Sequence, residues 1–196
     1  MKKSTAKIPH FTFRQRLCLA KGGVYYFHIQ TDATAEELVL LNKFARNISN
    51  RGILVEIGSY LGASSLVLSR ANKKNTLYCI DTWNNDAMSE GKWDTMNSFM
   101  HNTRHCKNIV PLRMWSTEAI NKIPEYFDMI FVDGDHSYDG VKKDIDLYFP
   151  RLKSGGIITM HDSGWAEGVQ RVIKEDIRPN VSEEGELPNL YWGRKK

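Results

Sequence analysis
The chain has 196 residues, 41% of them hydrophobic and 26% charged, with a formal net charge of +4; its mean hydropathy of −0.45 and the lack of any apolar run of bilayer length exclude a membrane-spanning or disordered class and fit one domain. Much of the positive excess sits at the ends, in Lys2, Lys3, Lys7, Arg194, Lys195 and Lys196, so solvated tails explain it better than a nucleic-acid surface. Cys18, Cys79 and Cys106 form neither an even framework nor a Cys-x-x-Cys pair, and Pro9, His10, Arg14 and Gln15 interrupt the basic start before it becomes a signal core; reduced thiols and a cytoplasmic setting are expected.

Residues 1–30 carry Phe11, Phe13, Tyr25, Tyr26 and Phe27 among basic residues without a clean period, and an N-terminal cap or oligomer contact is expected there, with the main domain over 31–196. Thr31, Asp32, Thr34, Glu36 and Glu37 offer helix caps and first-turn acids, and Leu38, Leu41, Phe44, Ala45 and Ile48 continue at helical spacing. Leu54 to Ile57 then reads as a buried strand, Gly58 and Gly62 as a tight turn, and Ala63 to Leu68 as a helix. Such a turn aims the opening N–H groups of its helix at the crevice beyond the strand, where a polar cofactor binds. A dinucleotide fingerprint does not fit: with its central glycine on Gly58, Glu56 and Leu61 occupy the other two glycine positions.

Thr76 to Ile80 makes a second strand ending in Asp81, 25 positions after Glu56, where a carboxylate suits ribose hydroxyls. Trp83, Trp93, Met96, Phe99 and Met100 within 83–105 suggest a helix with an aromatic approach that lines a pocket or packs in the core. Ile109 to Met114 is a third strand, near an edge because of Pro111, and Ser116 is a plausible cap for a short helix after Trp115. Tyr126 to Val132 is the fourth strand, ending in Asp133-Gly134-Asp135-His136-Ser137-Tyr138. A helix with Val141, Ile145, Tyr148 and Leu152 on one face follows, broken at Lys153-Ser154-Gly155-Gly156. Ile157 to Met160 is the fifth strand, ending in His161-Asp162; Gly168 to Ile177 is the last helix, and Val181 to Leu187 with Leu190 to Gly193 closes the chain as a hairpin.

Strands alternating with helices predict a parallel sheet of order 3-2-1-4-5, whose strand-end loops converge on one edge. Asp133 and Asp162 then approach one another, and with His161 or Asp135 they suit a hard divalent cation such as Mg²⁺.

The run Glu56-Ile57-Gly58-Ser59-Tyr60-Leu61-Gly62 resembles the first motif of class I S-adenosylmethionine-dependent methyltransferases. The stretches Phe127 to Tyr138 and Leu152 to Asp162 resemble the branch that includes macrocin-type O-methyltransferases and cephalosporin-type tailoring enzymes, so the likeness spans about residues 50–165. It implies an α/β, Rossmann-like, doubly wound and mostly parallel seven-stranded sheet with a reversed last strand, and S-adenosylmethionine as donor. It places Glu56, Gly58 and Ser59 on the methionine part of the cofactor, with Tyr60, Gly62 and Ser64 in the same turn. Asp81 takes the ribose, Trp115 or Ser116 flanks the adenine, Thr82 and Trp83 wall the pocket, and Asp133 borders it. In several members of the branch a metal is held by residues matching Asp133, His161 and Asp162, although an acid stands where this chain has His161. Proton removal then falls to a cation or to His136 or His161, with Asp133 beside them. The expected reaction is O-methylation of a small-molecule hydroxyl, without nucleic acid or membrane partners and with a homo-oligomer open. An RNA methyltransferase and a non-catalytic binding protein that keeps the fold are the alternatives.

Overall fold
The computed structural model describes residues 6–85 and 93–196. Seven strands form one sheet of order β3-β2-β1-β4-β5-β7-β6: β1 (Ile53–Ile57), β2 (Thr76–Asp81), β3 (Ile109–Arg113), β4 (Phe127–Val132), β5 (Leu152–His161), β6 (Val181–Leu187) and β7 (Leu190–Lys195). The first five are parallel to their neighbours, and β7 enters between β5 and β6 antiparallel to both. Helices cover both faces, as the near-continuous apolar runs of the central strands require. Leu54, Leu77, Cys79, Met129, Phe131 and Ile157 point to one core cluster, and Val55, Ile57, Ile80, Ile130, Val132, Ile158 and Met160 to the other. This is the doubly wound architecture the sequence predicts, with the reversed strand in place.

On the first face lie α1 (Phe13–Lys21), α2 (Ala35–Asn47), α3 (Ala63–Ala71) and α4 (Met96–Thr103); α5 (Ser116–Ala119), α6 (Tyr138–Tyr148) and α7 (Glu167–Val172), which continues as a π-turn over Ile173–Ile177, lie on the second. A Thr34–Glu37 capping box starts α2 as the sequence suggests. Helix α1 is an addition to the sequence reading. It opens with its own capping box, Thr12–Gln15, and buries Leu19 while leaving Phe13 and Leu17 exposed, so its apolar residues do not trace a single inward stripe. Phe11, Leu19, Val24 and Ile29 join the same apolar cluster as α2 and α3.

Three local expectations change. β5 begins at Leu152 rather than Ile157, because Gly155 (φ +76) turns the backbone in open space without ending the strand. Ser116 lies inside α5 with Trp115 as the flanking residue, and it makes no cap. In the 83–105 segment, Trp83 and Phe99 are fully buried with their rings tilted at 50° and 4.7 Å between centroids; residues 86–92 of that expectation lie outside the described residues. Among the described residues no helix is long and apolar enough to cross a membrane.

Candidate active site
The carboxyl ends of β1, β2, β4 and β5, together with the approach to α5, enclose a cavity of about 840 Å³, within the range of small-molecule sites. Gly58 shapes its floor at φ +85, and Gly62, at φ +87, closes the same turn. A Cβ on Gly58 would stand 2.0 Å from the backbone oxygen of Asp133, so this glycine lets the ends of β1 and β4 close on each other. Gly58, Ser59, Tyr60 and Ser64 line the cavity, while Gly62 stands behind the wall against Thr103 and Phe99.

Glu56 departs from its expected place. Strand alternation turns it away from the cavity toward α3, where it is fully buried and accepts from Ser59 Oγ at 2.7 Å and from Ser65 Oγ. Burial raises its pKa against the pull of the serines. Glu56 thus braces the turn from behind. Asp81 lines the cavity, and it also accepts the N–H groups of Ser59 (2.9 Å) and Tyr60 (2.8 Å) on Oδ2 and of Trp83 (2.6 Å) on Oδ1. A carboxylate has about four acceptor positions, so one remains for a ligand hydroxyl. Thr82 is on the wall, but Trp83 is not: its indole N–H donates to the Tyr60 carbonyl at 3.0 Å from within the core. Tyr60 is thereby held at φ +44 by a bond to its N–H and another to its carbonyl, which offsets a left-handed strain on the order of 1 kcal/mol.

At the opposite wall β4 and β5 bring four titratable groups together. Residues 157, 159 and 161 point to the α2 face, so His161 is 4% exposed and its Nε2 lies 3.5 Å from Glu37 Oε2. Its Nδ1 is 3.0 Å from Asp133 Oδ1 and 3.5 Å from Asp162 Oδ2. Burial disfavours the imidazolium, yet the surrounding carboxylates, Asp133 foremost, hold its pKa well above the usual imidazole value. Asp162, at φ +59, accepts from Trp165 Nε1 (2.6 Å) and Asn189 Nδ2 (2.9 Å) on Oδ1 and from His136 Nε2 (2.8 Å) on Oδ2. Burial opposes its charge, but the bonds from His136 and His161 keep its pKa far below the carboxylate range. Burial likewise disfavours charge on His136, and Asp162, Asp133 and Asp135 outweigh it and raise its pKa. For Asp133 burial dominates and raises the pKa.

Asp133, His136 and Asp162 offer donor atoms within 4.8 Å of one another, a span one cation could bridge. This differs from the expected set, since His161 is tied between Glu37 and Asp133 and is replaced by His136. Without an ion, the cluster satisfies these atoms internally. Imidazole N–H groups already hold Asp162 Oδ2 and Asp133 Oδ1, and both histidines are raised toward the cationic form.

At the third side, Trp115 is 58% exposed and lines the cavity with Ser116. Ser116 Oγ donates to Asp144, a buried acid on α6. Sequence reasoning singled out neither Asp144 nor Asn189, and it read Glu37 as a cap alone. The capping acid shows in the pattern Thr34-x-x-Glu37, but its second partner, His161, is 124 positions away.

A methyltransferase-domain family profile matches residues 55–163, more than half of the chain. The chain belongs to this family of class I S-adenosylmethionine-dependent methyltransferases. It is 30% identical over 156 residues to the uncharacterized protein y4gI of Sinorhizobium fredii (strain NBRC 101917 / NGR234), covering 72% of this chain and 17% of y4gI. Identity to the uncharacterized protein R132 of Acanthamoeba polyphaga mimivirus is 32% over 115 residues, 55% of this chain and 50% of R132. The chain therefore spans half or less of the curated relatives it matches. The O-methyltransferase TomG from Streptomyces achromogenes, involved in tomaymycin synthesis and solved in complex with SAM, superposes with a TM-score of 0.67 at 15% identity, covering 95% of this chain and 91% of TomG. That likeness shows a shared fold.

Proposed function
We propose that the chain transfers a methyl group from S-adenosylmethionine to a hydroxyl of a small molecule. The observation that carries this reading is His136, held by Asp162 at 2.8 Å on the wall of the cavity whose floor is the Gly58 turn. With Nε2–H given to Asp162, the lone pair of neutral His136 is on Nδ1. The acceptor oxygen attacks the sulfonium methyl in line; a C–O bond forms as the C–S bond breaks, S-adenosylhomocysteine leaves, and the hydroxyl proton passes to Nδ1. Asp162 orients the ring and stabilises the imidazolium, and the buried His161 balances the charge of Asp133 and Asp162. Most of the acceleration in such a reaction comes from holding the reactants together.

Calorimetry should detect binding of S-adenosylmethionine and S-adenosylhomocysteine, and Asp81→Ala should weaken it by about tenfold or more through loss of the turn's acceptor and of a ribose partner. Absence of binding to either cofactor form by the wild type rejects the reading. Because carboxylates raise the His136 pKa, the neutral base accumulates only as pH rises through that raised value. The kcat/KM profile should therefore climb on the alkaline side of the ordinary imidazole range.

The 4.8 Å span of Asp133, His136 and Asp162 favours a second reading, a divalent cation that lowers the acceptor's pKa. The histidine reading predicts full turnover in chelator and no activation by Mg²⁺. Loss of turnover in chelator, restored by Mg²⁺, would transfer proton removal to the cation.

A further inference from the structure
The cations near the two ends of the chain have different surroundings. Toward the carboxyl end Arg194 pairs with Glu183 at 3.0 Å, Lys195 Nζ donates to the carbonyls of Phe149 (2.8 Å) and Leu152 (2.6 Å), and Lys196 Nζ donates to that of Pro179 (2.7 Å). Residues 1–31 hold Lys2, Lys3, Lys7, Arg14, Arg16 and Lys21 and no Asp or Glu. Among the described residues, Lys7, Arg14, Arg16 and Lys21 form no ion pair. Apolar side chains stand exposed among them. Phe13 and Leu17, one turn apart on α1, are 76% and 48% exposed, and Ile8, Tyr25 and Tyr26 are exposed as well. Phe11 and Phe27 pack edge to face at 5.3 Å and the Lys7 backbone bridges to Thr31, so the segments before and after α1 belong to one surface layer.

A basic layer that also exposes apolar side chains fits a partner with an anionic surface and an apolar interior. Charge disfavours a second copy of this chain, because a two-fold contact sets the same cations against each other. Single-stranded RNA would stack on the tyrosines, but Ile8 and Leu17 have no flat face to offer a base. A lipid surface uses all of them: Phe, Leu and Ile enter the acyl boundary, Tyr sits at headgroup level, and Arg and Lys meet anionic headgroups. We propose that residues 7–28 dock the protein on anionic membrane surfaces, with Phe13 and Leu17 as the inserted pair. For the amino-terminal cations this departs from the expectation of a solvated tail and no membrane partner. The layer runs on into Gln30, Thr31, Asp32 and Ala33, which line the cavity, so docking sets that wall near the headgroups. The proposal stands independently of methyl transfer.

Co-sedimentation with vesicles tests it. The wild-type chain should bind vesicles containing phosphatidylserine about tenfold or more tightly than vesicles of phosphatidylcholine alone, with the affinity falling as salt rises. Arg14→Gln combined with Lys21→Gln should weaken binding to the anionic vesicles about 30-fold. Phe13→Ser combined with Leu17→Ser should weaken it about tenfold or more and leave Tm unchanged, since both side chains are exposed. Absence of vesicle binding, equal binding to the two vesicle types, or full binding by a folded Phe13→Ser, Leu17→Ser variant would overturn the proposal. A wild type that binds polyuridylate and not the vesicles would overturn it in favour of RNA, and a dimer in solution that this variant dissolves would overturn it in favour of a second copy. The wild-type comparison of the two vesicle types decides the matter even where a variant does not fold.

Discussion
Asp162→Asn is expected to lower kcat/KM by about 10²–10⁴, the share general base catalysis commonly supplies, while S-adenosylhomocysteine affinity stays unchanged. Asparagine is the informative replacement because it tolerates the left-handed backbone found at φ +59. Its remaining oxygen still accepts from Trp165 and Asn189, as Oδ1 does now. What changes is the Oδ2 position, where an amide N–H would confront the Nε2–H of His136 in place of the present 2.8 Å bond. His136 then loses both its orientation and the carboxylate that raises its pKa. The residual activity should accordingly have its rising limb displaced toward lower pH. Full turnover with an unmoved pH profile would remove His136 from the proposed chemistry.

Gly58→Ala should cost about 3–5 kcal/mol of stability, roughly 10–15 °C in Tm for a domain of this size. The new Cβ would meet the Asp133 carbonyl oxygen at 2.0 Å and its carbon at 2.5 Å, and both belong to backbone at the end of β4. No flexible side chain is there to yield. Gly155→Ala is the matching control: φ is similar at +76, but nothing lies within 4 Å. It should show the conformational part alone, about 1 kcal/mol. Comparable Tm losses in the two variants would show that backbone strain, and not the approach of β1 to β4, explains the glycine.

The central strands were legible because burial on both faces leaves a near-continuous apolar run, unbroken in Met129 to Val132 and interrupted only by Glu56 in Leu54 to Ile57. The strand-end acids were legible for a related reason: Asp81, Asp133 and Asp162 stand out where such runs stop. Which helix covers which strand end leaves no periodic trace, so the pairing of Glu37 with His161 and of Ser116 with Asp144 stayed hidden. Trp83 and Glu56 were misplaced for the converse reason. Their neighbourhood in sequence is the cavity, but one side chain turns into the core against Phe99 and the other toward α3. Helix α1 escaped notice because an exposed Phe13 and Leu17 blur its pattern.

The antiparallel entry of β7 has a bearing on when the site is completed. Leu190 pairs with His161, and Asn189 just before it bonds Asp162 Oδ1 while accepting from the Gly164 N–H at 3.3 Å. During synthesis, the segment from Val55 to Asp162 leaves the ribosome with its strand-end acids and histidines already present, yet Asp162 lacks one of its two Oδ1 donors until residue 189 follows. The hairpin thus holds Asp162 from the side opposite its histidine partners, through Oδ1 and not Oδ2. The orientation of Asp162, and with it that of His136, is therefore set in part by the β6–β7 hairpin.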